Sequence, residues 1–198
     1  SCYLSNKEDS LTISLFACAG YDTIWQPMSK TGMHLWSEVR DVVHIKNGIL
    51  AITYDSGIWK LENGSHIWKE ANNGINCCDI VSIASNTNNV AAGCRWNMVS
   101  EKNINDTKFR NMFGAFPYRT YIFEVDYWGD SLLICASKGL FSESKTDGNF
   151  YDISTDPIST IPSGNSCVSA TVHKGNLFCQ MNGDIKRRDN ESGEWIKT

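Results

Sequence analysis

Apolar and polar residues alternate in short runs along the chain, and turn residues separate the runs. The clearest case is Gly57-Ile58-Trp59-Lys60-Leu61-Glu62, followed by Asn63-Gly64 and a return through Ile67-Trp68. An apolar run entering an Asn-Gly turn and leaving through a second apolar run is a hairpin signal. Just upstream, Ile49-Leu50-Ala51-Ile52-Thr53-Tyr54 and Val42-Val43-His44-Ile45 read as two further strands. Four strands in about 30 residues form an antiparallel unit too small to bury both of its faces alone, so it needs neighbours of its own kind.

The unit recurs. Third strands anchored at Ile24, Ile58, Met98, Leu140 and Ile185 are separated by 34, 40, 42 and 45 residues. First strands recur in step at Val42-Val43-His44-Ile45, Ile80-Val81-Ser82-Ile83, Ile122-Phe123-Glu124-Val125 and Val168-Ser169-Ala170-Thr171, with Cys2-Tyr3-Leu4 as the counterpart in the first unit. Aromatics recur on the third strand (Trp25, Trp59, Phe141) and on the return strand (Trp36, Trp68, Phe109, Tyr151, Trp195), which assigns them to packing. Four strands per period of about 40 residues is the mark of a β-propeller blade. The expected fold is all-β: one domain, residues 1–198, a five-bladed β-propeller of four-stranded antiparallel blades at about 1–40, 41–78, 79–120, 121–166 and 167–198. A two-sheet sandwich also fits evenly spaced short strands, but it does not require these positions to recur five times.

Composition narrows the class. The net charge is −4, and no basic block exceeds Lys186-Arg187-Arg188, which is poor equipment for nucleic acid. No apolar run reaches the length of a membrane span, so no direct membrane insertion is expected. The opening at Ser1-Cys2 carries no signal-peptide pattern, as expected of a mature or trimmed chain. No phosphate-loop, dinucleotide or zinc pattern is present, and no cofactor or metal is expected.

Eight cysteines (Cys2, Cys18, Cys77, Cys78, Cys94, Cys135, Cys167 and Cys179) are an even number without metal spacing. Disulfides in an oxidising compartment are the favoured reading, with buried free thiols as the alternative, because Cys18, Cys94, Cys135 and Cys179 fall in second strands. Adjacent Cys77 and Cys78 are expected to take separate partners. Asn63, Asn105 and Asn190 open Asn-x-Ser/Thr sequons, each at the third-to-fourth-strand hairpin of its unit. Together they point to a secreted or surface glycoprotein.

The hairpins resemble degenerate Asp-boxes of sialidase-like propellers. Ser144-Lys145-Thr146-Asp147-Gly148-Asn149-Phe150-Tyr151 comes nearest, with weaker echoes at Asn63-Gly64 before Trp68, Gly32 before Trp36 and Ser192-Gly193 before Trp195. The resemblance implies a structural Asp that bonds the turn backbone and an aromatic packed under the turn, and it implies nothing about activity. Sialidase chemistry, which the resemblance would place on three arginines, finds none of the six Arg within a predicted first strand. A glycoside hydrolase would need carboxylates facing one another across an axis. Asp41, Asp79 and Glu124 are the one such set, and the equivalent placement of Asp41 and Asp79 before Val/Ile pairs favours a repeated structural device.

Trp96, in a second-to-third-strand turn, and Trp128, in the Tyr127-Trp128-Gly129-Asp130 turn, fall outside the repeated aromatic sets. Propeller geometry puts second-to-third-strand turns and inter-blade connections on one face and the sequons on the other. The expected binding face carries Tyr21, Asp55, Arg95, Trp96, Phe113, Phe116, Tyr118 and Arg119. The expected function is non-enzymatic binding of a protein partner, with carbohydrate as the alternative and a hydrolase third.

Overall fold

The computed structural model describes residues 16–17, 26–27, 38–54, 56–77, 79–112, 119–155 and 164–198. Among them every regular element is a strand. Strands β1 (Phe16–Ala17) and β2 (Gln26–Pro27) form a two-stranded pair. Sheet A contains β3 (Val39–Ile45), β4 (Gly48–Thr53), β5 (Gly57–Glu62) and β6 (Lys69–Glu70). Sheet B contains β7 (Ile80–Ser85), β8 (Asn89–Cys94), β9 (Met98–Asn103) and β10 (Arg110–Met112). Sheet C contains β11 (Ile122–Trp128), β12 (Ser131–Ala136), β13 (Gly139–Glu143) and β14 (Phe150–Asp152). Sheet D contains β15 (Cys167–His173), β16 (Asn176–Met181), β17 (Asp184–Arg188) and β18 (Trp195–Lys197). Each is an antiparallel meander in chain order. Four four-stranded sheets are thus present among the described residues, not five; the first unit contributes only β1 and β2.

The sheets stack in sequence. Leu50, Ile52 and Ile58 of sheet A pack on Ile83, Val90 and Ala92 of sheet B. Ala91 and Val99 of sheet B pack on Val125, Ile134 and Phe141 of sheet C. Leu133 and Leu140 of sheet C pack on Ala170, Leu177 and Cys179 of sheet D. In sheets B and C, which have a neighbour on each side, the second strands are therefore buried on both faces, which explains their unbroken apolar runs where a one-sided sheet would alternate; in β16 of sheet D, Gln180 is exposed. Gly93 marks the closest approach: a Cβ there would lie 2.9 Å from Val125 Cγ1. Trp59 and Phe141 occupy matching third-strand positions, opposite Ala51 and Ile134. Trp25 lies outside the described residues.

Each of the four described first strands carries a β-bulge at the same place. The register shifts between Val39 and Asp41, Ile80 and Ser82, Ile122 and Glu124, and Cys167 and Ser169. The bulge corrects the equation of Asp41 with Asp79. Asp41 is equivalent to Ser82, Glu124 and Ser169, whereas Asp79 is equivalent to Glu38, one residue before the strand. It also extends β11 through Trp128, which is the last strand residue and not part of a turn.

Cys77 and Cys94 form a disulfide across 17 positions, tying the loop before β7 to the end of β8. In place of the expected disulfides, Cys135, Cys167 and Cys179 are buried free thiols in the interface of sheets C and D, where cysteine serves as a small apolar residue. Cys2, Cys18 and Cys78 lie outside the described residues.

Candidate functional site

The end of the stack where first strands begin is built by one repeated bond. Tyr54 N–H donates to Glu38 O (2.9 Å), Arg95 to Asp79 O (3.0 Å), Ser137 to Tyr121 O (2.9 Å) and Asn182 to Ser166 O (3.1 Å). Each sheet thereby presents two adjacent side chains at this end, and which residues stand there decides the surface. From sheets A to C they are Glu38 and Tyr54, Asp79 and Arg95, Tyr121 and Ser137.

Three aromatic rings stand out to solvent in this set: Tyr54 is 50 % exposed, Trp96 57 % and Tyr121 38 %. The Trp96 and Tyr121 ring centroids are 4.2 Å apart, tilted by 47°. The Trp96 turn is stitched to the entry of sheet C by an isolated bridge to Tyr121 and by two bonds, Ile122 N–H to Arg95 O and Asn97 N–H to Thr120 O, both 3.0 Å. Asn97 and Arg119 complete the crossing in left-handed conformations, with φ of 48° and 60°. An exposed indole on a backbone fixed at both sides loses little freedom on contact, which is what an anchor residue needs.

A charged chain joins Tyr54 to Trp96. Arg40 is the bulge residue of β3, and the bulge turns its side chain toward sheet B. There Nη1 donates to Asp79 Oδ1 at 2.6 Å, with the guanidinium 4.1 Å over the Tyr54 ring. Arg95 Nε donates to the other Asp79 oxygen, also at 2.6 Å. Burial works to raise the Asp79 pKa, but the hydrogen bonds and charges of Arg95 and Arg40 outweigh it, and the carboxyl is held below its ordinary value. Two guanidinium groups thus share one carboxylate, and Arg95, its side chain 44 % exposed, is the more accessible of the two.

Of the residues expected on this face, Arg95, Trp96 and Arg119 lie at this end; Tyr21, Asp55, Phe113, Phe116 and Tyr118 lie outside the described residues. Arg40, Tyr54, Asp79 and Tyr121 were not expected. For Tyr54, Asp79 and Tyr121 the signal is positional: in the described sheets, the residue before the first strand and the one after the second strand reach this end; Arg40 reaches it through the bulge.

Asn63, Asn105 and Asn190 are exposed at the opposite end, on the β5–β6, β9–β10 and β17–β18 turns. Asn63 N–H donates to Asn47 O in the β3–β4 turn, and Ile104 N–H to Asn88 O in the β7–β8 turn, so both hairpin sets share that end.

The carboxylates considered for hydrolysis are engaged in structure. Asp41 Oδ2 accepts Ile83 N–H at 3.0 Å, and Glu124 Oε2 accepts Ala170 N–H at 2.9 Å. Between them, Ser82 Oγ accepts Val125 N–H at 3.3 Å. One inter-sheet bond thus repeats three times, from the residue after the bulge to the N–H of the next first strand. Burial raises the Glu124 pKa against the opposing bonds from Ser169 and Ala170, and burial together with the charge of Asp41 raises that of Asp126. Asp79 is not in this row.

No protein-family model and no curated protein matches the chain. Solved structures do match. The chain is similar to the extracellular domain of BT4673 from B. thetaiotaomicron, with a TM-score of 0.73 and 16 % identity over 100 % of this chain and 27 % of that one. It is similar to YCF48 bound to D1 peptide, with a TM-score of 0.67 and 9 % identity over 93 % of this chain and 60 % of that one. A third similarity is to the WD40 repeats of RRP9, with a TM-score of 0.62 and 8 % identity over 81 % and 51 %. The fold is propeller-like. In all three cases the chain spans less than two thirds of the neighbour's length.

Proposed function

We propose that this chain is a non-enzymatic binding module that recognises another protein through the end carrying Trp96. The observation that carries the reading is Trp96 itself: exposed, stacked on Tyr121, fixed by backbone bonds and flanked by the Arg40–Asp79–Arg95 chain. Tyr21, Asp55, Phe113, Phe116, Tyr118 and Arg119 belong to the same proposed surface. Arg95, partly exposed beside the indole, fits a segment that pairs a carboxylate with an apolar or aromatic side chain to lie against Trp96. A neighbour of the same fold carries a bound peptide.

The module is proposed to act outside the cell, glycosylated at Asn63, Asn105 and Asn190. The disulfide and the extracellular domain among the similar structures support this, and the sequon end leaves the Trp96 end free of glycans. We further infer five blades in one domain, with the residues before Glu38 supplying the fifth sheet. The Asp-box reading of the hairpins is supported at Asp147, which accepts Asn149 N–H at 3.0 Å and the Tyr151 hydroxyl at 2.5 Å.

Selection of a displayed peptide library on the immobilised domain tests the proposal. Acidic peptides should be enriched, and Trp96→Ala should weaken the selected peptide by roughly tenfold or more, since hot-spot aromatics contribute about 2 kcal/mol. Asn63→Gln should leave the affinity unchanged. Peptides bound equally by wild type and Trp96→Ala would refute the assignment of the face.

A further inference from the structure

We propose that the cleft between sheets C and D, at the sequon end, binds a neutral saccharide. This site is separate from the Trp96 end and stands whether or not that end binds protein. The cleft has a volume of about 900 Å³, within the roughly 300–1,000 Å³ of ordinary small-molecule sites.

Its wall is Trp128, the aromatic that no repeat position requires. The equivalent positions in the other sheets hold Ile45, Asn86 and His173. Trp128 is half-buried, packed against the apolar cluster of sheets C and D, and lines the cleft. An indole fixed in this way offers a flat apolar surface to the C–H face of a sugar ring, and leaves the hydroxyls of that ring to the rim.

The rim is the β17–β18 turn, and it is preorganised. Asp189 accepts the N–H of Glu191 at 3.1 Å, the N–H of Ser192 at 2.8 Å and the Ser192 hydroxyl at 3.0 Å. Gly193 N–H donates to Asp189 O at 3.0 Å, and Asp189 N–H to Glu194 O at 2.8 Å. The turn therefore holds Glu191 and Glu194 at the edge of the cleft without help from a ligand. Below it lies Arg188, 5 % exposed, with Nη1 donating to Ile153 O at 2.6 Å and the guanidinium 5.5 Å from the Trp195 ring.

Charge selects among ligand classes. Arg188 below the cleft disfavours a cationic side chain; Glu191 and Glu194 on the rim disfavour an anionic one. A neutral polyhydroxyl ligand meets neither objection. It can donate to carboxylates, exchange hydrogen bonds with Ser142 and Ser192, and stack on Trp128. Among the four described sheets, an indole at this strand position occurs in sheet C alone, which argues against a ring of equal sugar pockets.

The test uses the full chain made in a host that adds no N-glycans, because Asn190 lies on the rim. An array of neutral, sialylated and sulfated oligosaccharides is probed first. Binding confined to neutral glycans is expected, with Trp128→Ala reducing the affinity for the best array ligand by roughly tenfold or more and Trp96→Ala leaving it unchanged. If Trp128→Ala fails to fold, Glu194→Ala on the exposed turn takes its place and should also weaken binding. Absence of any neutral ligand, preference for charged glycans, or unchanged affinity in the folded variant would each overturn the proposal.

Discussion

At the scale of single residues, the molecule separates carboxylates by what they accept. Glu124 takes a backbone N–H from the next sheet in a buried site, so its removal leaves Ala170 N–H unpaired. Glu124→Ala is expected to cost about 1–3 kcal/mol in urea denaturation at neutral pH, while Glu124→Gln, which keeps an acceptor oxygen, should cost less. The pH dependence has a defined sign. Burial raises the folded-state pKa of Glu124 above 4.5, so the folded chain holds this proton more tightly than the unfolded one. Its contribution to stability is then largest below the unfolded value and falls as pH rises through the folded one. Glu124→Gln should accordingly improve relative to wild type between pH 4.5 and neutrality; a constant difference across that window would place the raised pKa elsewhere. Asp79 has the opposite sign. Its pKa is held below 3.8, so what it adds is present above 3.8 and is lost as pH falls through the folded value. Asp79→Asn should remove that acid-sensitive part of the stability.

At the scale of elements, the strands were legible and their offsets were not. Period-two runs ending at Asn47-Gly48, Asn63-Gly64 and Gly129-Asp130 marked the hairpins, because the turns demand those residues. The bulge left no such trace. Asp79 looked equivalent to Asp41 because the apolar pair Val42-Val43 was matched with Ile80-Val81, three residues out of the true register, and Arg40 was passed over because it fell outside the apolar run although it is the bulge residue of β3. Trp96 was legible because it broke a pattern; Tyr54 and Tyr121 were not, since each sits beside a strand and reads as its continuation. The same close stacking gives Gly93 a packing role that its backbone conformation does not demand. A methyl group there would meet Val125 Cγ1 at 2.9 Å and Ile122 Cγ2 at 3.1 Å. Gly93→Ala is expected to destabilise by about 1–3 kcal/mol in the same denaturation assay, as overpacked cores do. A neutral or stabilising result would mean that sheets B and C can separate without loss.

At the scale of the whole molecule, the register assigns each sheet a trailing trio that the next sheet covers: Leu50, Ile52 and Ile58; Ala91, Gly93 and Val99; Leu133, Cys135 and Leu140. The large apolar members are buried to 1 % exposure or less. In sheet D the same positions are Phe178, Gln180 and Ile185, and Ile185 is 59 % exposed. They line a small cavity of about 220 Å³ with Ser169, the fourth member of the series Asp41, Ser82, Glu124. The face thus has the makings of another inter-sheet contact: an apolar residue in place and a hydroxyl where its counterparts accept an N–H. Whether the residues before Glu38 cover it decides between a closed ring of five sheets and an open arc, and the sequence period alone could not separate the two. In the proposed ring, Ile185→Asp should cost about 2–4 kcal/mol, comparable to Ile58→Asp, because both would bury a charge between sheets. In an open arc, Ile185→Asp should fall within about 0.5 kcal/mol of wild type while Ile58→Asp still destabilises strongly. The comparison holds the fold, the side chain and the position in the repeat constant, so the difference between the two variants reads out the presence of a fifth sheet and nothing else.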